Sequence, residues 1–339
     1  MGKAVKKKQS KKRLPRLLGV LLVLLGLALA AALALGAVLV IAPMTERVDE
    51  SVVPGSADWM ARLDDEKRLN ELLLPGTNES ASRYTPRAFF TKRQALSVRE
   101  QLEAGYRFLD LRVTLNERGD GFTLVCAEGD CRTSPFGGAL TLDEILGDCY
   151  AFLDAHPRET LLLAVRTGRG AVSDRRCGLL FDAYIRERPD YWLAADTIPT
   201  LGEARGKLLL LRSWDDAAGL REEAGLPLRW RDQGGFDDTS LSSATEDLLA
   251  YTLHVQDRRE FDPDDKWAAF LAGMSGAEEG SVTLSFLSTK GSTRYGHPYE
   301  FAKDLNARLM SCDDAALHGW IAVDFGSAAL AERLYRLNF

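Results

Sequence analysis

An uncharged apolar run from residue 17 to residue 42 constrains this chain more than any other feature of its sequence. The eighteen residues that begin the chain hold eight basic side chains and no acid, and Glu46 is the first acidic residue. About 20 apolar residues are enough to cross the hydrocarbon core of a bilayer as a helix, and a helix satisfies its own backbone there. The basic flank on the N-terminal side puts that end in the cytoplasm and carries everything beyond residue 43 across the membrane. A cleaved signal peptide begins in the same way. Its apolar region, however, is usually about 7–15 residues, shorter than this one, although the small residues at 28–32 are compatible with cleavage. The reading taken is an uncleaved single-pass anchor in the cell membrane, with the bilayer as its partner.

The charge balance changes sharply after the N-terminal tail. With the eight early basic residues set aside, the rest of the chain holds 35 basic and 49 acidic side chains, a balance of −14. A surface this acidic does not favour nucleic acid. Five cysteines (Cys126, Cys131, Cys149, Cys177, Cys312) permit disulfides in an exported domain. Cys126 with Cys131, or Cys149 with Cys177, are candidate pairs, but the sequence does not fix the pairing. No histidine accompanies the near pair, so the spacing does not read as a zinc site.

Residues 43–68 are polar and charged and read as an extracytoplasmic stalk, with a short helical stretch near 59–69. Beyond them, β-rich runs alternate with helical patterns. Strands are expected at 71–74, 107–113, 122–127, 160–166, 207–213, 251–256, 282–287 and 320–325. Helices are expected at 142–155, 175–188, 266–272, 298–310 and 328–337. Thr141 is a candidate N-cap for the first of these. Such alternation implies βαβ units around a mostly parallel sheet, and eight strands suggest a closed α/β barrel whose functional residues sit where strands end. The chain thus divides into a cytoplasmic tail (1–16), a transmembrane helix (17–42), a stalk (43–68) and a barrel domain (69–339).

Several segments, in order, resemble bacterial phosphatidylinositol-specific phospholipase C. Leu73-Leu74-Pro75-Gly76-Thr77-Asn78-Glu79-Ser80 resembles that family's Pro-Gly-Thr-His-Asp-Ser, with Asn78 at the first catalytic histidine and Glu79 at its acidic neighbour. Asp110-Leu111-Arg112 matches an acid and arginine two residues apart. In 124–129, Glu128 stands where the resemblance expects the second histidine. Arg166 falls where the family carries a lysine, Asp257 in Val255-Gln256-Asp257 matches an inositol-binding aspartate, and Asp324 matches the aspartate that orients the first histidine. The run 201–212 is the longest continuous match, and 285–291 resembles a polar rim loop.

The resemblance covers roughly residues 69–337 and implies a distorted TIM-type barrel. It also implies phosphodiester cleavage by attack of an inositol hydroxyl on phosphorus, with one histidine as base and the other as acid. Each such proton transfer is typically worth about 10²–10⁴ in rate. Arg112 follows the metal-independent pattern, in which a guanidinium neutralises the phosphorane, so no cofactor or metal is expected. Asp110, Arg112, Arg166 and Asp257 are then candidate substrate-binding residues, and Asn78, Glu128 and Asp324 occupy the catalytic positions.

Asn78 has no titratable group and cannot act as a base. Glu79, Arg259 and the Thr167-Gly168 pair are further departures from the family pattern. The leading expectation is an anchored barrel that binds a phosphoinositol-like or other phosphorylated or polyol ligand, or a protein, without cleaving it. An active phosphodiesterase with altered acid/base residues and a structural envelope protein are the alternatives. Of the four histidines, His297 lies in the segment that resembles the active-site rim.

Overall fold

The computed structural model describes residues 13–126, 129–168, 172–214, 225–234, 240–248, 250–293 and 295–339. The chain forms two compact units, Met1–Thr45 and Glu46–Phe339. In the first, α1 (Arg13–Thr45) contains a 28-residue stretch, Leu18–Thr45, long and apolar enough to cross a membrane and exposed along nearly its whole length. Its large apolar side chains from Leu18 to Val38 are exposed on every face, so the helix is hydrophobic all round and not amphipathic.

Among the described residues the second unit holds eleven strands. They are β1 (Leu74–Thr77), β2 (Phe108–Leu115), β3 (Phe122–Cys126), β4 (Gly129–Asp130), β5 (Leu161–Thr167), β6 (Leu208–Arg212), β7 (Leu226–Pro227), β8 (Ala244–Asp247), β9 (Thr252–Gln256), β10 (Val282–Phe286) and β11 (Trp320–Val323). Its helices are α2 (Ala88–Thr91), α3 (Val98–Glu103), α4 (Leu142–Ala155), α5 (Asp174–Glu187), α6 (Leu201–Ala204), α7 (Pro263–Ser275), α8 (Pro298–Ser311) and α9 (Ala328–Tyr335). Thr141 caps α4 as expected, its side chain accepting from the Glu144 amide in a capping box.

The sheet order is β7-β6-β5-β2-β1-β11-β10-β9-β8, parallel except at β8, which runs antiparallel to β9. β3 and β4 form a hairpin that leaves the end of β2. The run at 122–127 is therefore a side ribbon and not a barrel stave. Cys126 and Cys131 meet on this hairpin, and the hydrogen bond of the Cys131 thiol with Cys126, aided by burial, raises its pKa above the ordinary value. Among the described residues β7 and β8 are the two edges, so the sheet curls as a distorted barrel without closing by hydrogen bonds.

The period of two along each strand separates three apolar layers. Phe108, Leu162, Ala164, Leu209, Leu253, Val255, Leu284, Phe286, Trp320 and Ala322 fill the inside of the curl. Leu109, Leu111, Leu163, Val165 and Leu210 face outward against α4 and α5. On the other flank Ile321 and Val323 pack with side chains of α7, α8 and α9.

The segment from Glu46 to 68 does not stand apart as a stalk but is built into this unit. Trp59 and Met60 are fully buried, and the Trp59 ring stacks on Tyr335 at 5.3 Å and 8°. Two short 3-10 turns (Ser56–Asp58, Met60–Arg62) bring this pair under the barrel wall. A polar composition concealed two large apolar anchors.

Candidate functional site

The inner positions of the strands turn polar at their C-terminal ends. Leu74 and Gly76 lead to Asn78, Phe108 to Asp110 and Arg112, and Leu162 and Ala164 to Arg166. In the same way Leu253 and Val255 lead to Asp257, and Trp320 and Ala322 to Asp324. Strand alternation alone puts these six side chains on the inside parity, at the end of the barrel where such folds keep their sites. β2 and β5 are paired with Arg112 opposite Arg166 and Asp110 opposite Ala164. Asp110 can therefore reach diagonally to the Arg166 guanidinium.

The contacts form a continuous chain across the mouth. The Asn78 amide donates to Asp324 Oδ1 at 2.8 Å. Arg93 donates to Asp324 Oδ2 at 2.9 Å and to the Thr289 carbonyl at 2.8 Å. Glu79, next to Asn78, gives its backbone N–H to Asp110 Oδ2 at 3.2 Å and brings Oε1 to 3.4 Å from Arg112 Nε. Arg166 donates to both Asp110 oxygens, at 2.8 and 2.6 Å, a bidentate geometry suited to guanidinium. The Arg166 guanidinium also lies over Trp230 at 5.1 Å, and the Trp230 indole donates to Asp257 at 3.3 Å. Six of the seven residues marked from the sequence are thereby joined. The seventh, Glu128, lies outside the described residues.

Burial and charge set the ionisation of this cluster. Burial pushes the Asp324 carboxyl up to about 6, although Arg93 and the Asn78 amide pull it down. Burial works against the Arg93 and Arg166 cations, but the surrounding anions, Asp324 with Glu79 at Arg93 and Asp110 with Asp257 and Glu79 at Arg166, together raise both pKa values. Lys266, fully buried on α7, is lowered to about 7 by burial, with Asp257 and Asp324 opposing the shift. Its Nζ donates to Gln256 Oε1 at 2.7 Å.

Sequence reasoning missed Arg93, Trp230 and Lys266. Arg93 lies 231 residues from Asp324, and no local pattern marks the pair. A buried lysine in a helical pattern carries no signal distinct from that of an exposed one. The four histidines are all engaged elsewhere: His156 with Asp58, His254 with Ser243 and Thr245, His318 with the Met274 carbonyl, and His297 with Glu46. His297 also stacks on Phe89 at 3.9 Å.

Chemically, the mouth pairs arginines with carboxylates and can offer guanidinium donors to an oxyanion and carboxylate acceptors to hydroxyls. At the Asn78 position it offers an amide, which orients but does not take up a proton. The fold and the charged mouth define a distorted (β/α) barrel with its candidate site at the C-terminal ends of the strands.

No protein-family model matches the chain. A 1-phosphatidylinositol phosphodiesterase of Staphylococcus aureus (strain Newman) is 25% identical over 304 residues, covering 81% of this chain and 90% of that protein. The human PI-PLC X domain-containing protein 1 is 31% identical over 144 residues, 40% of this chain and 42% of that protein. Among solved structures, a phosphatidylinositol-specific phospholipase C from Staphylococcus aureus superposes with a TM-score of 0.67 at 20% identity, covering 84% of this chain and 99% of the other. The corresponding enzyme from Listeria monocytogenes gives a TM-score of 0.59 at 18% identity, over 84% and 99%. The chain is a divergent homologue of the bacterial phosphatidylinositol-specific phospholipases C.

Proposed function

We propose that this protein is a single-pass membrane protein, N-terminus in the cytoplasm, whose extracytoplasmic barrel binds a phosphorylated polyol such as a phosphoinositol headgroup without cleaving it. One observation carries the reading: at the end of β1, where the resemblance puts the catalytic base, the Asn78 amide donates to Asp324. An amide in that place keeps the aspartate oriented but has no basic nitrogen to accept a hydroxyl proton. At the second histidine position Glu128 puts a carboxyl, ordinarily ionised at neutral pH, in place of the acid of the family's route. Arg112 stays in the mouth with its side chain 32% exposed, so a cation remains accessible to a phosphate.

Losing two proton-transfer groups, each worth about 10²–10⁴, leaves turnover by that route at least about 10⁴-fold below that of an enzyme with both histidines. The test uses the full chain in detergent micelles containing phosphatidylinositol. No headgroup release above buffer is expected, while myo-inositol 1-phosphate should raise the unfolding temperature of the wild type and not of Arg112→Ala. Restoring Asn78→His together with Glu128→His should produce measurable cleavage. Turnover by the wild type that disappears in Arg112→Ala would overturn the reading.

A further inference from the structure

Among the described residues three arginines reach the mouth, and two are committed. Arg166 makes two hydrogen bonds to Asp110, and Arg93 bonds to Asp324 and the Thr289 carbonyl. Arg112 is held differently. Its charged neighbour among the described residues is Glu79, with Nε 3.4 Å from Oε1, yet Nε is shielded from solvent and has no hydrogen-bond partner. A buried guanidinium N–H without an acceptor is costly. The anion beside it is close enough to neutralise it but not placed to satisfy it.

Glu79 is held in place by its backbone. It sits in the left-handed region at φ 42, uncommon for a residue other than glycine. Its N–H is bonded to Asp110, its carbonyl accepts from the Ser82 N–H at 2.9 Å, and the residue is 7% exposed. Its charge also reaches the other two arginines, adding to the rise in the pKa values of Arg93 and Arg166. With Glu79 counted, each mouth arginine faces one carboxylate: Arg93 with Asp324, Arg112 with Glu79, and Arg166 with Asp110.

We propose that Glu79 is a resident counter-anion that occupies the phosphate position on Arg112, so that a phosphorylated ligand must displace it to bind. It balances the charge of Arg112 in the empty mouth and discriminates against bare anions. A ligand succeeds when hydroxyls bonding to the neighbouring carboxylates help its phosphate to compete. This rests on the reading of the mouth as a site for a phosphorylated polyol.

The test is calorimetric titration of the full chain in detergent with inorganic phosphate, myo-inositol 1-phosphate and uncharged myo-inositol. The variants are Glu79→Gln, Glu79→Asp, Arg112→Ala and the double variant Glu79→Gln/Arg112→Ala. Removing one nearby negative charge should tighten binding of both phosphates about tenfold in Glu79→Gln at moderate salt and leave myo-inositol unchanged. The gain should vanish in the double variant. Glu79→Asp, with its carboxylate drawn back by one methylene, should bind about threefold tighter than wild type, and it carries the test if Glu79→Gln does not fold. Phosphate binding no tighter than wild type in the folded variants, or a gain that persists without Arg112, would overturn the proposal. If the gain is absent but Arg112→Ala still abolishes wild-type binding of myo-inositol 1-phosphate, only the counter-anion role falls. If Arg112→Ala changes nothing in either background, the binding reading falls as well.

Discussion

Lys266 shows how far the charged cluster extends behind the mouth. It is fully buried, and Nζ donates to Gln256 Oε1, which also accepts from the Arg258 backbone N–H at 2.8 Å. The Gln256 amide in turn donates to Ser285 and to the Phe286 carbonyl, tying the end of β9 to β10 just before Asp257. Burial lowers the lysine to about 7, so the native state binds this proton less tightly than the unfolded chain does. Stability therefore rises as pH climbs from about 7 towards the unfolded value near 10, and the full penalty is present below 7. Lys266→Met keeps most of the volume and leaves Gln256 Oε1 its bond from Arg258. The variant should be more stable than wild type at pH 6, by a margin of several kcal/mol at most, and the gap should narrow by pH 9. Urea unfolding of both chains at the two pH values measures this; a gap that widens with pH would show that the lysine is not held near neutrality.

At the scale of the element, β1 is the least regular strand and carries the most. Its sequence is Leu-Pro-Gly-Thr, yet it pairs with both β2 and β11 and delivers Asn78 and Glu79. Gly76 permits this, because a Cβ there would lie 2.7 Å from Phe108 Cδ1 and 2.9 Å from its Cβ. Gly76→Ala should cost about 1–3 kcal/mol by overpacking, seen as a lower urea midpoint with an unchanged slope. A variant that unfolds at the wild-type midpoint would mean that Phe108 has room to move. The same irregularity explains why the sequence placed this strand at 71–74, three residues early: Leu72, Leu73 and Leu74 look more strand-like than Pro75 and Gly76. The strands at 108–115, 161–167 and 282–286 were legible because apolar residues run unbroken through 161–165 and fall at every second position in the other two. β7 has two residues and β8 is the polar Ala-Thr-Glu-Asp, so neither stood out. In the mouth, parity and motif located Asp110, Arg112 and Asp324. What Arg112 and Asp324 pair with, Glu79 and Arg93, depends on side-chain reach that no spacing reveals.

At the scale of the whole molecule, the compact barrel unit begins at Glu46, not at 69. The early part of that unit holds groups that the rest of the fold would otherwise leave unsatisfied. The Ala61 N–H donates to Glu159 Oε1 at 3.0 Å, and Glu159 pairs with the fully buried Arg107 at 2.9 Å. The same guanidinium donates to the carbonyls of Ser56 and Ala57, and the Trp59 indole donates to the Gly105 carbonyl at 3.0 Å. Removing residues 46–68 would strip acceptors from a buried cation and uncover the Tyr335 face on which Trp59 stacks. Loss of one buried tryptophan costs about 3–5 kcal/mol, and a buried ion pair robbed of its partners costs a comparable amount. Together these approach the 5–15 kcal/mol by which a typical domain is stable. A chain starting at Glu46 should therefore unfold cooperatively in urea, at a midpoint close to that of the barrel in the full chain. A chain starting at 69 should show no cooperative transition and should be digested by protease under native conditions. Matching midpoints for the two truncated chains would show that 46–68 is a detachable linker after all, and that Arg107 and Glu159 satisfy one another without it.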